Sequence, residues 1–188
     1  SYNDSGYAGL TKAAQDFGVQ IKAIESRDPV GQGEQLLRQA AKAGFDLVIT
    51  LEFTHFEPLA RVAPDFPNTK FSILNIAVDK PNVVSVIFKE HEGSFLAGAL
   101  AAMVTKDTKI PGTNPQKIIG VIGGTKSVGI DKFIVGYEEG AKYIDKETKV
   151  LVSYSNSFGD PAKGKELALA QFQQGADIVY QVAGGTGE

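Results

Sequence analysis

Short runs of β-branched and aliphatic residues alternate with helix-patterned segments along the whole chain, and this alternation restricts the fold more than any other feature. Val19–Ser26, Asp46–Leu51, Lys70–Leu74, Val83–Phe88, 117–122, 149–155 and 177–183 read as strands. Tyr7, Leu10, Ala14 and Phe17 recur at helical spacing behind an Asp4 or Ser5 cap. Leu36, Leu37, Ala40 and Ala41 share one face of a helix over 32–44 that stops at Gly44. Thr54-His-Phe-Glu57 matches a capping box for a short helix closed by Pro64 and Pro67. Further helices are expected over 93–105, around Phe133, Tyr137, Ala141 and Ile144, and over 161–174 behind Asp160-Pro161. Strand–helix units of roughly 25–30 residues mean parallel sheets with right-handed crossovers.

One segment sets the domain organisation. Strand 83–88 leads through a charged loop into a helix of small residues, Gly93, Ala97, Gly98, Ala101 and Ala102, which can lie close to a neighbouring backbone. The Pro/Gly/Asn-rich stretch 106–116 follows, and then a fresh apolar strand. Such a composition break reads as a crossing between two lobes. The expected division is residues 1–112 and 113–188. The first helix has no strand before it and the last strand no helix after it, so a piece of a longer protein is expected, the first lobe lacking its first strand and the second its C-terminal part.

Composition removes several functions. Net charge is −3 with no basic stripe, which disfavours sequence-independent nucleic-acid binding. Without cysteine there is no disulfide, thiol nucleophile or Cys-ligated zinc. No run of about 18 apolar residues spans a membrane. No signal peptide is visible, and the chain opens without Met.

In open parallel sheets, ligands bind beyond the carboxyl ends of the strands. Those positions here are Glu25–Arg27, Glu52–Thr54, Asn75, Phe88–Glu92, Gly123–Ser127, Ser155–Phe158 and Ala183–Gly187. Asn75, Asn156 and Glu52 offer directional hydrogen bonds, and Phe53, Phe88 and Phe158 offer flat apolar faces. That mix suits a neutral polar ligand with a ring, a nucleoside or sugar, better than a phosphate. On residue type alone, a core or interface role for each phenylalanine is the commoner one. Asn3 and Asp4 equally suit simple helix capping, Gly184-Gly185 a turn, and Glu90 and Glu92 a solvated loop.

Enzyme signatures fail. Gly123-Gly-Thr-Lys-Ser127 lacks the spacing of a phosphate-binding loop and reads as a strand-to-helix turn. His91-Glu92 has no second histidine, since position 95 is Phe95. His55 reads as a surface residue or a supporting donor. No nucleophile–base pair emerges, so no catalytic residue, metal or cofactor is assigned.

The opening Ser1-Tyr-Asn-Asp-Ser-Gly-Tyr7-x-Gly9 resembles the Ser-Phe-Asn motif of the basic membrane protein family, bacterial substrate-binding lipoproteins that include the purine-nucleoside receptors of ABC transporters. Phe88-Lys-Glu-His-Glu-Gly-Ser-Phe-Leu-Ala-Gly98 is similar to that family's most recognisable segment. Gly123-Gly124, Gly136-Tyr137-x-x-Gly140-Ala141, Ser157-Phe158-x-Asp160-Pro161, Gly175-Ala-Asp177 and Ala183-Gly-Gly-Thr-Gly187 follow in the family's order.

The resemblance implies a type I periplasmic-binding fold, two Rossmann-like α/β lobes with parallel sheets that close on a ligand in the interlobe cleft. It implies that Asn3 and Asn75 line the first lobe's side of the site, that Tyr7 contributes an aromatic face, that Phe158 stacks on a purine, and that Gly184 and Gly185 approach the base by backbone. Phe53 joins the candidate ligand-binding residues by its position and residue type. Two departures bear on specificity: Glu52-Phe53 stands where the family usually has Gly-Phe, and Asn75 where it usually has Asp. The implied function is non-enzymatic: the solute-binding component of an ABC importer, taking a purine nucleoside or similar small ligand to a permease. Its implied location is the periplasm or the outer face of the bacterial cytoplasmic membrane, through a lipid anchor outside this chain. The alternatives are a ligand-sensing domain of a regulatory protein, a sugar-binding protein of the same fold, and a nucleoside- or sugar-processing α/β enzyme.

Overall fold

The computed structural model describes residues 2–26 and 28–188; Ser1 of the opening motif and Arg27 of the first expected loop lie outside them. The chain forms two compact units, Ser1–Phe88 and Lys89–Glu188. Each is built on a three-stranded, wholly parallel sheet.

In the first unit, β1 (Leu47–Thr50), β2 (Lys70–Leu74) and β3 (Val83–Val86) pair in that order. Helices α2 (Pro29–Lys42) and α3 (Phe56–Val62) cover one face. Leu37 and Ala41 of α2 and Leu59 and Val62 of α3 pack on Phe71 and Ile73 of the central strand. Asp28 caps α2 by accepting from Gly31 N at 2.9 Å, and Gly44 beyond its end adopts φ +82, the left-handed conformation a helix stop favours. Glu34 binds Arg38 and Arg61 at 3.0 Å, tying α2 to α3. Helix α1 (Tyr2–Phe17) precedes them.

Two expectations fail in this unit. Residues 19–26 form no strand: a strand exists only through pairing, and this apolar run has no ladder partner among the described residues. The Thr54/Glu57 capping box is not made either. Glu52, two residues earlier, takes the cap, accepting from Thr54 N at 3.1 Å and from Thr54 Oγ1 at 3.0 Å. Of the two roles expected for His55, the structure favours the supporting one: the ring is buried, with its Nδ1 2.7 Å from Thr50 Oγ1.

In the second unit the order is β5 (Lys149–Tyr154), β4 (Ile118–Gly123), β6 (Ala176–Val182). All six residues of β4 are buried, as a central parallel strand requires. Helices α4 (Glu90–Lys106) and α5 (Val128–Ile144) cover one face through Ala101, Ala102, Ile134, Tyr137 and Ala141. Helix α6 (Pro161–Gln173) covers the other. Its buried Gln171 donates Nε2 to Val121 O at 3.2 Å and to Ser153 Oγ at 3.0 Å, beside a Gly120 whose missing Cβ makes room for the amide.

The compact units part at Phe88/Lys89, not at 112, and the reason is the packing of α4. A Cβ on Gly98 would fall on the carbonyl of Tyr137, one on Gly136 on the carbonyl of His91, and one on Gly140 on the carbonyl of Phe95. The small residues do permit backbone-to-backbone approach, and the partner is α5 of the second unit. The stretch 106–116 is turn structure within that unit, not a linker. Asn114 donates its backbone N–H to Asp177 at 3.1 Å, and Thr105 and the Asn114 amide also bind that carboxylate. Helix α4 also begins at Glu90, so 90–92 is its first turn and not a loop.

Candidate functional site

The carboxyl ends of the strands gather the candidate residues separately in each unit. In the first unit, Asn75 follows the last residue of β2, and its φ of +69 turns the backbone out of the strand; asparagine tolerates this conformation better than most residues. Its N–H still bonds to Val86 O at 2.8 Å, so the turn is fixed to β3. Its side-chain Nδ2 donates to Tyr2 Oη at 2.8 Å, and Tyr2 Oη donates to Leu51 O at 3.3 Å. The first turn of α1 is thereby tied to the ends of β1 and β2. A Cβ on Gly6 would meet the Leu51 side chain, so the helix also rests closely on this strand end.

Asn3 lies exposed in that first turn, and Tyr7 is exposed one turn further on. Tyr2, not singled out from sequence, makes the hydroxyl contact. Phe53 opens a 3-10 turn and is half-buried. The Glu52 carboxylate is engaged by Thr54. The sequence signal for Tyr2 was its place inside the opening motif, where the family has Phe, which carries no hydroxyl.

In the second unit, Gly124 extends β4 between both neighbours. Its N–H bonds to Val182 O at 3.0 Å and its carbonyl accepts from Asn156 N at 3.0 Å. Asn156 then reverses the chain with φ +56, and Phe158 returns over the sheet end. The ring stands where a Cβ on Gly124 would be. Phe158 remains 41% exposed. Its carbonyl lies close to Gly184 and Gly185, the former at φ +55, so both glycines border the phenylalanine main chain.

Buried Thr186 holds this arrangement. Its Oγ1 accepts from Asp160 N at 2.9 Å and donates to Ser157 O at 3.1 Å. Gly164 of α6 has no Cβ because Thr186 O occupies that space. Ser155 Oγ adds a second bond to Ser157 O at 2.7 Å. The structure therefore brings Phe158, Gly184 and Gly185 together.

The edge of this region is polar. Tyr154 Oη donates to Asp131 Oδ1 at 2.6 Å, and Lys126 Nζ stands 5.8 Å from the ring centroid. Burial, and then the bond to Asp131, push the phenol up to about 12. Ser127 caps α5 from the strand-to-helix turn, accepting from Ile130 N at 3.3 Å. Among the described residues, no group of three or more His, Asp or Glu side chains is placed to hold a metal ion, and no helix is long and apolar enough to cross a membrane.

Comparison with known proteins adds the family. Residues 1–188 match the model of the Bmp family, described as ABC transporter substrate-binding protein PnrA-like. The chain is similar to the ABC transporter nucleoside-binding protein BmpA of Lactococcus lactis, with 38% identity over 79% of this chain and 40% of that protein. It is similar to an uncharacterized lipoprotein of Pyrococcus horikoshii, with 32% identity over 98% of this chain and 45% of the other. A solute-binding protein of an ABC transporter system from Aeropyrum pernix superposes with a TM-score of 0.87 at 30% identity, covering 99% of this chain and 52% of that one. The chain spans about half the length of the curated relatives it matches.

Proposed function

Starting from a chain that belongs to the Bmp family of PnrA-like ABC transporter substrate-binding proteins, we propose that it takes part in binding a purine nucleoside or a similar small ligand. The fold is the α/β architecture of type I periplasmic solute-binding proteins. The observation that carries the reading is Phe158: an aromatic ring seated on a glycine at the carboxyl end of a parallel sheet, partly open, beside the main chain of Gly184 and Gly185. A planar heterocycle gains from such a surface by stacking, and nearby backbone groups supply directional hydrogen bonds. Asn3, Tyr7, Phe53 and Asn75 are the first unit's proposed contributors. The name of the Lactococcus lactis relative supports the nucleoside class.

Binding of this kind needs no covalent step. The proposed partner is the permease of an ABC importer, with ligand closure presenting the docking surface. The proposed location is outside the cytoplasmic membrane, in keeping with the lipoprotein name of the Pyrococcus relative.

The test is a thermal-shift panel of nucleosides, free bases, sugars and amino acids on the intact protein, followed by calorimetry. A nucleoside should stabilise it, and Phe158→Ala should weaken that binding by about 1–3 kcal/mol. Stabilisation by a sugar and by no nucleoside would overturn the ligand class. Release of free base on incubation with nucleosides would overturn the transport reading.

A further inference from the structure

The backbone at Gly124 is held on both sides, by Val182 O through its N–H and by Asn156 N through its carbonyl. A side chain added there cannot be accommodated by sliding the strand. An ideal Cβ would stand within 2.6 Å of Phe158 Cδ1 and Cζ and closer still to Cε1. Contacts that short force something to move, and the partly exposed ring is the group free to do so. The phenylalanine main chain is not free. Ser157 O is fixed by Ser155 Oγ and Thr186 Oγ1, and Asp160 N by Thr186 Oγ1. Rotation of the ring about its own side-chain bonds is the remaining response.

We propose that Gly124 is a positioning residue for ligand binding: its bare Cα is the seat on which the Phe158 ring lies, and it sets how far that ring projects toward a stacked ligand. The ligand half of this statement rests on the nucleoside-binding reading above; the seat itself does not. Gly124 needs glycine for space, since no unusual backbone angle is recorded at this position. Alanine therefore fits the strand, and its whole effect should pass through the ring.

The experiment uses the intact protein and the variants Gly124→Ala, Phe158→Ala and the double variant, with calorimetry on a nucleoside series. Gly124→Ala should weaken nucleoside binding about tenfold or more, within the span a base–aromatic stack covers. In the Phe158→Ala background the same substitution should change affinity by less than about twofold, because nothing remains to displace. Equal losses in both backgrounds, or wild-type affinity in Gly124→Ala, would overturn the inference. A ligand-free arm separates it from the function reading. With fluorine-labelled phenylalanine, the resonance assigned to Phe158 should shift in Gly124→Ala, and an unmoved resonance would overturn the seat. A wild type that binds no nucleoside but shows that shift would sink the function reading and keep the seat.

Discussion

Asn75 donates its side-chain amide to the Tyr2 hydroxyl at 2.8 Å, across 73 positions of sequence, and Tyr2 passes a bond on to Leu51 O. An asparagine can act here as the donor because its amide both donates and accepts; an ionised aspartate only accepts. In Asn75→Asp the Tyr2 hydroxyl must turn its proton to the carboxylate and release Leu51 O. Tyr2→Phe should cost about 0.5–1.5 kcal/mol of first-unit stability. The cost should be smaller once position 75 is alanine, since the bond from Asn75 is then already lost and only the one to Leu51 O remains. Urea denaturation of the two single variants and the double variant reads that coupling directly; strictly additive losses would refute it.

The two glycines of α4 should respond with opposite signs. Gly98 meets the Tyr137 carbonyl of α5, so Gly98→Ala should destabilise the second unit by about 1–3 kcal/mol through overpacking. Gly93 has nothing within 4 Å of its would-be Cβ. Gly93→Ala should therefore stabilise by about 0.5–1 kcal/mol through helix propensity and unfolded-state entropy. Thermal melts of both variants check the pair, and equal responses would mean that the α4–α5 approach is looser than described.

Much of the fold was legible because periodicity is local. Six of seven expected strands, and every long helix, stand close to their sequence limits. The seventh, 19–26, has strand composition but no neighbour to pair with, and pairing is not a property of the segment itself. The compact units part at Phe88/Lys89 rather than at the expected 112 for a related reason. The proline- and glycine-rich stretch 106–116 has the composition of a linker, yet Asp177, more than sixty residues on, folds it onto β6. On the site, residue type drew attention to Phe158 and the glycine pair. It could not reveal Gly124 or Thr186, whose roles exist only through the space one leaves and the bonds the other makes.

Thr186 joins two loops through one hydroxyl. Thr186→Val keeps the shape but leaves Asp160 N without its acceptor, and takes one of two donors from Ser157 O. The expected loss is about 1–3 kcal/mol of stability, the cost of stranding a buried polar group. Thr186→Ser should retain most of it. Proton-exchange rates at the Asp160 amide provide the local check: they should rise in the valine variant and stay near wild type in the serine variant.

Tyr154 gives a pH dependence whose sign is fixed by its environment. Burial and the Asp131 carboxylate favour the neutral phenol, raising it from 10.0 to about 12. The folded protein therefore holds this proton more tightly than the unfolded chain does. Its contribution to stability is fully present below pH 10.0 and is lost as pH rises toward about 12, where the unfolded chain ionises first. Tyr154→Phe has no such proton to lose. The variant gives up the bond to Asp131 at neutral pH, but its stability should decline less steeply than wild type through that alkaline window. Denaturation midpoints measured at intervals across the window should converge. A gap that stays constant would show that the Tyr154 proton is held no more tightly in the folded state than in the unfolded one.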